Sequence, residues 1–250
     1  MIEECKFHYG NIKKCIIEIN NYCNMRCFYC VYNNYSCIEK KEYMTIKTLN
    51  KIIDFAKKED IKKILITGGE PTLHPQFIDV CNILFDNFED VSICSNGYIL
   101  NKDIQNFFIN SNFSTYTISL DGLSSICNEN CNGIKNSTKK IKSLLDVLIN
   151  KNKKISIHYT LNKLNYFEVD DFINWGKNIF YEIKISNIYH SKQIDSSVQE
   201  KMDYLINKYG EERNIILNNC DMKCKDLNCR MNKDIFFFNT NGKNISCYWK

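Results

Sequence analysis

The chain has 250 residues, 44% hydrophobic and 25% charged, with a formal net charge of +4. That composition belongs to a folded globular protein, and the small positive balance does not by itself point to nucleic acid. Its apolar runs fall short of the ~20 residues that span a bilayer, and Glu3, Glu4 and Lys6 stand where a signal core would be. A cytoplasmic location with no membrane and no nucleic-acid partner is therefore expected.

In chain order, short β-branched or aromatic runs predict strands at Cys15–Asn20, Lys63–Thr67, Asp90–Cys94, Thr115–Leu120, Lys154–Leu161 and Glu182–Asn187. Helical periodicity falls between them. Thr45–Glu59 places Ile46, Leu49, Ile52, Ile53 and Ala56 on one face, with Thr45 as N-cap. Pro75–Phe88 is expected to carry its proline in the first turn, where the missing N–H costs nothing. Lys139–Ile149 and Tyr166–Ile179 continue the series. Strands that alternate with helices read as parallel βα units, forming either a full or partial (β/α) barrel or an open doubly wound sheet. Periodicity does not choose between them, but either one builds its site from loops at the C-terminal ends of the strands. The rhythm stops after about Asn218, so the chain divides into a core at 1–217 and a cysteine-rich extension at 218–250.

Fourteen cysteines are the outlier. Without an export signal they are expected to stay reduced, and clustered reduced thiols hold metals or metal clusters. Directly after the first strand comes Cys23-Asn-Met-Arg-Cys27-Phe-Tyr-Cys30. Three thiolates on one short loop wrap a compact site. They leave one iron of a four-iron cluster open to a small molecule, whereas a zinc knuckle would need a distant fourth ligand. Gly68-Gly69-Glu70-Pro71 follows the second strand, Ser95-Asn96-Gly97 the third, and Ser119-Leu120-Asp121-Gly122 ends the fourth. Each alone is an ordinary turn. Together they place polar, glycine-containing turns on one face, where glycines let the backbone approach a ligand and a carboxylate takes an ammonium group.

With these four motifs in this order, the sequence resembles the radical S-adenosylmethionine (SAM) enzymes from about Cys15 to Asn187. The resemblance implies a partial (β/α)6 barrel of TIM type. It also implies that Cys23, Cys27 and Cys30 ligate a 4Fe–4S cluster whose open iron is chelated by SAM. Tyr29 would lie near the adenine, Gly68, Gly69 and Glu70 would bind the methionine amino group, and Ser119 and Asp121 would contact ribose or substrate. An electron from the reduced cluster would then cleave SAM to a 5′-deoxyadenosyl radical that abstracts a substrate hydrogen, the protein supplying position and exclusion of water. An electron donor such as flavodoxin or ferredoxin is implied as partner.

The tail carries Cys220, Cys224, Cys229 and Cys247, enough for a second iron–sulfur cluster or a zinc site. Asn239-Thr-Asn-Gly242 reads as a hairpin turn between Ile235–Phe238 and Asn244–Cys247. A hairpin flanked by cysteine resembles the opening of the SPASM or twitch domains of peptide-modifying radical SAM enzymes, although those domains continue with further cysteines. The expected job is modification of a peptide, as in maturation of a ribosomally made natural product (a RiPP). The alternatives are a glycyl-radical-enzyme activase, a small-molecule radical SAM enzyme, and an iron–sulfur or zinc scaffold without catalysis. Cys127 and Cys131 sit in the stretch after the fourth strand, as loop thiols or as hydrogen-atom donors to a substrate radical. His74 and His158 read as structural histidines.

Overall fold

A computed structural model describes residues 13–30, 41–187, 195–218 and 235–245. Cys220, Cys224, Cys229 and Cys247 lie outside the described residues.

The parallel strands are β1 (Lys14–Glu18), β2 (Lys63–Thr67), β3 (Asp90–Ser95), β4 (Tyr116–Ser119), β5 (Ile155–Leu161), β6 (Glu182–Asn187) and β7 (Ile215–Asn218). Between them run α1 (Ile46–Lys58), α2 (Phe77–Asn87), α3 (Lys102–Asn110), α4 (Ser125–Asn132), α5 (Ser137–Asn150), α6 (Val169–Gly176) and α7 (Ser196–Tyr209). The sheet order is β7-β6-β5-β4-β3-β2-β1, each strand beside its sequence neighbour. That monotonic order decides between the two candidate architectures. A doubly wound sheet reverses its strand order at a switch point, whereas unreversed right-handed crossovers put every helix on one face and curl the sheet. The fold is a partial barrel of the TIM type.

Alternation along the strands fits this. Cys15 and Ile17, Ile64 and Ile66, Val91 and Ile93, and Ile183 and Ile185 are buried on the helix-covered face. Their neighbours Lys14, Lys63, Ser92, His158 and Lys184 are half-buried and face the inside of the barrel. Thr45 caps α1 as expected, accepting a hydrogen bond from the Thr48 N–H at 3.1 Å.

Several elements differ from the sequence reading. Helix α2 starts at Phe77, after Gln76 as N-cap. Pro75 precedes the helix because the Gln76 N–H turns back to His74 Nδ1 at 3.0 Å, and the proline that does open a helical turn is Pro71, in a 3₁₀ turn over Pro71–Leu73. The stretch expected to be helical from Tyr166 begins only at Val169. The stretch after β4 forms helix α4. The hairpin assigned to the extension is present as β8 (Ile235–Phe238) and β9 (Asn244–Ile245), antiparallel, with Gly242 at φ 75°. Its first strand pairs in parallel with β1, so it extends the barrel sheet. Phe236 and Phe238 pack on Phe55 of α1, ring centres 5.2 and 5.3 Å away. No helix among the described residues is long and apolar enough to cross a membrane.

Candidate active site

The loop leaving β1 is held from three directions. From β2, the Gly69 N–H donates to Asn20 O and the Glu70 N–H to Tyr22 O, both at 2.8 Å. Asn20 Nδ2 donates in return to Glu70 O at 2.9 Å. The segments run so close that a Cβ on Gly68 would stand 2.3 Å from Asn20 Oδ1, and one on Gly69 2.4 Å from Tyr22 O. The sequence reading gave these glycines to a ligand. In the structure they also allow two stretches of backbone to meet.

The Glu70 carboxylate is fully buried. Oε1 accepts from Thr72 N at 3.2 Å, Thr72 Oγ1 at 2.7 Å and Ser95 Oγ at 2.9 Å. Oε2 accepts from the Asn96 N–H at 2.7 Å. Burial raises its pKa and these donors oppose the rise. Glu70 thus ties the turn after β2 to the turn after β3, and an ammonium ligand would share its oxygens with four donors already in place.

From β3, Asn96 Nδ2 donates to Asn24 Oδ1 at 2.8 Å and reaches Cys23 Sγ at 3.6 Å. Asn24 Nδ2 donates onward to Tyr98 O at 3.0 Å. From β4, the C-terminus of α4 supplies carbonyls. Arg26 N–H donates to Asn132 O at 2.9 Å and Phe28 N–H to Cys131 O at 3.3 Å. Gly133 ends that helix at φ 74°, where a Cβ would come within 3.3 Å of Arg26.

Within this frame Cys23, Cys27 and Cys30 are half-buried and in no disulfide, and the Cys30 N–H closes a turn on Cys27 O at 3.0 Å. Burial pushes the Cys23 thiol up to about 12, with Glu70 adding to the rise. Burial lifts Cys27 likewise, followed by the charges of Asp121, Cys23 and Cys30. The three thiols are therefore within electrostatic reach of one another, and a bound cationic centre would offset the cost of ionising them. Cys23 Sγ accepts from the Met25 N–H at 3.4 Å as well as from Asn96, the kind of N–H···S contact that tunes iron–sulfur centres. Among the described residues no three His, Cys, Asp or Glu converge as one metal ion requires. A zinc site would draw every sulfur to ~2.3 Å from a single ion. Three thiolates on one loop suit a four-iron cluster with one iron left open.

Asp121 is buried just beyond β4. It accepts from the Tyr29 hydroxyl and, at 2.7 Å, from the Thr160 N–H on β5. Asn128 and Asn165 hold its own N–H and carbonyl, each at 3.0 Å. Burial lifts its pKa to about 6 against the hydrogen bonds from Tyr29 and Thr160. The Tyr29 hydroxyl is raised by burial and by the Asp121 charge. Ser119 is half-buried at the end of β4. The structure thus gathers Cys23, Cys27, Cys30, Tyr29, Glu70 and Asp121 around one loop.

Both histidines pair with neighbouring groups. His74 Nε2 pairs with Met44 O at 3.0 Å, and His158 Nε2 lies 3.2 Å from Ser186 Oγ. Burial, then Lys184, holds His158 at about 4. Cys127 and Cys131 are buried, and Cys131 Sγ sits among Asn162 and Asn165 at 3.3 and 3.8 Å. Sequence reasoning missed Asn20, Asn24, Thr160, Asn165 and the end of α4. The Asn132-Gly133 pair was the readable signal for that helix end.

Residues 17–176, more than half of the chain, match the family model described as the Radical SAM superfamily. The chain belongs to the radical SAM superfamily. Membership implies a 4Fe–4S cluster and SAM, the groups that the loop's donors fit. Among curated proteins this radical SAM domain is 25% identical over 186 residues to a GTP 3′,8-cyclase of Haemophilus influenzae (strain PittGG), covering 72% of this chain and 54% of that protein. It is 26% identical over 166 residues to a GTP 3′,8-cyclase of Psychromonas ingrahamii, covering 65% and 48%. The chain thus spans about half the length of the curated relatives it matches. Among solved structures, Streptococcus suis SuiB bound to S-adenosylmethionine superposes with a TM-score of 0.77 at 18% identity, over 95% of this chain and 60% of that one. Native anSMEcpe with bound AdoMet gives 0.69 at 17% identity, over 95% and 74%.

Proposed function

We propose that this chain holds a 4Fe–4S cluster through Cys23, Cys27 and Cys30, binds SAM at the open iron, and modifies a peptide as a RiPP-type maturase. The observation that carries the reading is the cysteine loop itself, fastened by the turns after β2, β3 and β4. When bound, the cluster and SAM supply a 5′-deoxyadenosyl radical for hydrogen abstraction. The chain's own part is positional. Glu70 locks the turns after β2 and β3 together, Asn96 holds Asn24 and Cys23, and the carbonyls ending α4 hold Arg26 and Phe28. Asp121, whose pKa burial lifts to about 6, accepts from the Tyr29 hydroxyl at Oδ2 and so fixes its direction. Gly68, Gly69, Ser119 and Asp121 border the space we assign to SAM and substrate.

The peptide reading draws support from SuiB bound to the precursor peptide SuiA, which shares the fold at a TM-score of 0.76. It extends to the tail, 218–250, as a SPASM/twitch-like extension in which Cys220, Cys224, Cys229 and Cys247 hold an auxiliary iron–sulfur cluster. A second reading, a nucleotide-type small molecule as substrate, is favoured by the relatives named GTP 3′,8-cyclase. Anaerobic turnover separates the two. The reconstituted protein is given SAM and dithionite with either GTP or a peptide encoded beside its gene, and products are followed by mass. A peptide product supports the first reading, and a changed nucleotide with unchanged peptide replaces it with the second.

A further inference from the structure

We propose that Asn96 is a positioning residue whose side-chain amide donates to Cys23 Sγ and thereby raises the reduction potential of the bound cluster. The inference rests on the proposed cluster at Cys23, Cys27 and Cys30. Reduction moves one electron from an external reductant into the cluster, with no bond made and no proton transferred.

The turn after β3 fixes which way the amide points. Asn96 Oδ1 accepts from the Tyr98 N–H at 2.8 Å, so the oxygen and not the amino group must stand there. Asn24 gives the same answer from the other side. Its Nδ2 donates to Tyr98 O at 3.0 Å, which leaves its Oδ1 to face Asn96. Asn96 Nδ2 therefore has one N–H for Asn24 Oδ1, at 2.8 Å, and one for Cys23 Sγ, at 3.6 Å. The longer separation suits the larger radius of sulfur. Turning either amide over would set N–H groups against each other.

The backbone beneath the amide is fastened as well. The Asn96 N–H is held by Glu70 Oε2 at 2.7 Å, on a carboxylate that is fully buried. Gly97 follows at φ 71°, its N–H donating to Ser95 Oγ at 3.0 Å, and Ser95 Oγ donates on to Glu70 Oε1 at 2.9 Å. The donor is thus anchored through its backbone and both ends of its amide. Outer support of this kind orients a metal ligand and tunes its metal. An added electron makes the cluster and its thiolates more negative. An N–H aimed at one of those sulfurs stabilises the reduced form more than the oxidised one, so it raises the potential. The Glu70 charge, within electrostatic reach of Cys23, acts in the opposite direction, and Asn96 bonds to both residues.

The test uses the full chain, reconstituted anaerobically, as wild type, Asn96→Ala and Asn96→Asp. A redox titration with dithionite, followed by electron paramagnetic resonance, reads the potential of the cluster whose signal changes when SAM is added. Asn96→Ala removes the donor, and its cluster should be about tenfold harder to reduce, a shift of about 59 mV to more negative potential. Asn96→Asp keeps an acceptor for the Tyr98 N–H and adds charge, so its potential should fall further. Iron per chain and a thermal midpoint are measured for each protein. A purely structural Asn96 would lower iron and midpoint and leave the potential of the loaded fraction unchanged, and that result overturns the proposal. Should neither variant take up iron, wild type labelled with nitrogen-15 only in its asparagine side chains decides. Its reduced cluster should show a nitrogen-15 coupling, and absence of that coupling overturns the proposal. A wild type that assembles no SAM-responsive cluster overturns the proposed function and this inference with it, whereas a loaded wild type matched in potential by both variants overturns the inference alone.

Discussion

Replacing Glu70 by alanine tests what the turn after β2 does. The side chain is 0% exposed and accepts hydrogen bonds from Thr72 N, Thr72 Oγ1, Ser95 Oγ and Asn96 N. The Thr72 hydroxyl can rotate to another partner, which leaves three donors facing a void. Each unsatisfied buried donor costs about 1–3 kcal/mol. Relief of the buried charge returns part of this, so the net loss should be about 3 kcal/mol. For a chain of this size that is a fall of about 6–12 °C in the unfolding midpoint. Glu70→Gln keeps one acceptor oxygen and should lose roughly half as much. Because Asn96 also touches Cys23 and Asn24, the alanine variant should assemble less iron as well as bind SAM more weakly. Circular dichroism melts and iron analysis of the three proteins decide the matter. An alanine variant with wild-type midpoint and wild-type iron would refute the reasoning.

Gly69→Ala puts a methyl group 2.4 Å from the Tyr22 carbonyl, and backbone cannot step aside as a side chain can. A loss of about 2–3 kcal/mol is expected by urea unfolding, and an unchanged midpoint would mean the two segments do not meet this closely. Burial alone would raise the pKa of Asp170, but hydrogen bonds from Lys201 and Lys208 outweigh it and hold the carboxyl at about 2. A depressed carboxyl stabilises the fold above its unfolded pKa near 4 and loses that contribution as pH falls toward 2. With Lys208 partly exposed and screened, about 1–2 kcal/mol should disappear between pH 5 and pH 2 in wild type and not in Asp170→Asn; equal acid slopes would count against the pair. Iron per chain after anaerobic reconstitution should be about eight in wild type and about four in a Cys23→Ala/Cys27→Ala/Cys30→Ala variant. About four falling to nearly none would remove the auxiliary cluster from the proposal.

Strands Lys63–Thr67 and Glu182–Asn187 were legible to the residue because β-branched alternation is bounded there by turn residues. Thr45 was legible as a cap because the apolar stripe of α1 starts beside it. Helix α4 was not, since SICNENCN has little intrinsic helicity and is held by burying Cys127, Asn128, Cys131 and Asn132. The partner of β8 was not either. Four consecutive apolar residues fit either a core strand or an appendage, and pairing with Lys14–Ile17 spans over two hundred positions of sequence. At the site, the spacing of Cys23, Cys27 and Cys30 pointed to the family that the comparison shows. The direction of the Glu70 carboxylate depended on Ser95 and Asn96, which no motif placed opposite it.

The central claim is that the Cys23/Cys27/Cys30 loop supports reductive cleavage of SAM. The most direct measurement is 5′-deoxyadenosine released from SAM by the reconstituted protein under dithionite, for wild type and Cys27→Ala side by side. The account predicts steady formation by wild type and none above background by the variant. Equal rates in the two proteins, or no product from a wild type carrying a full complement of iron, would contradict it.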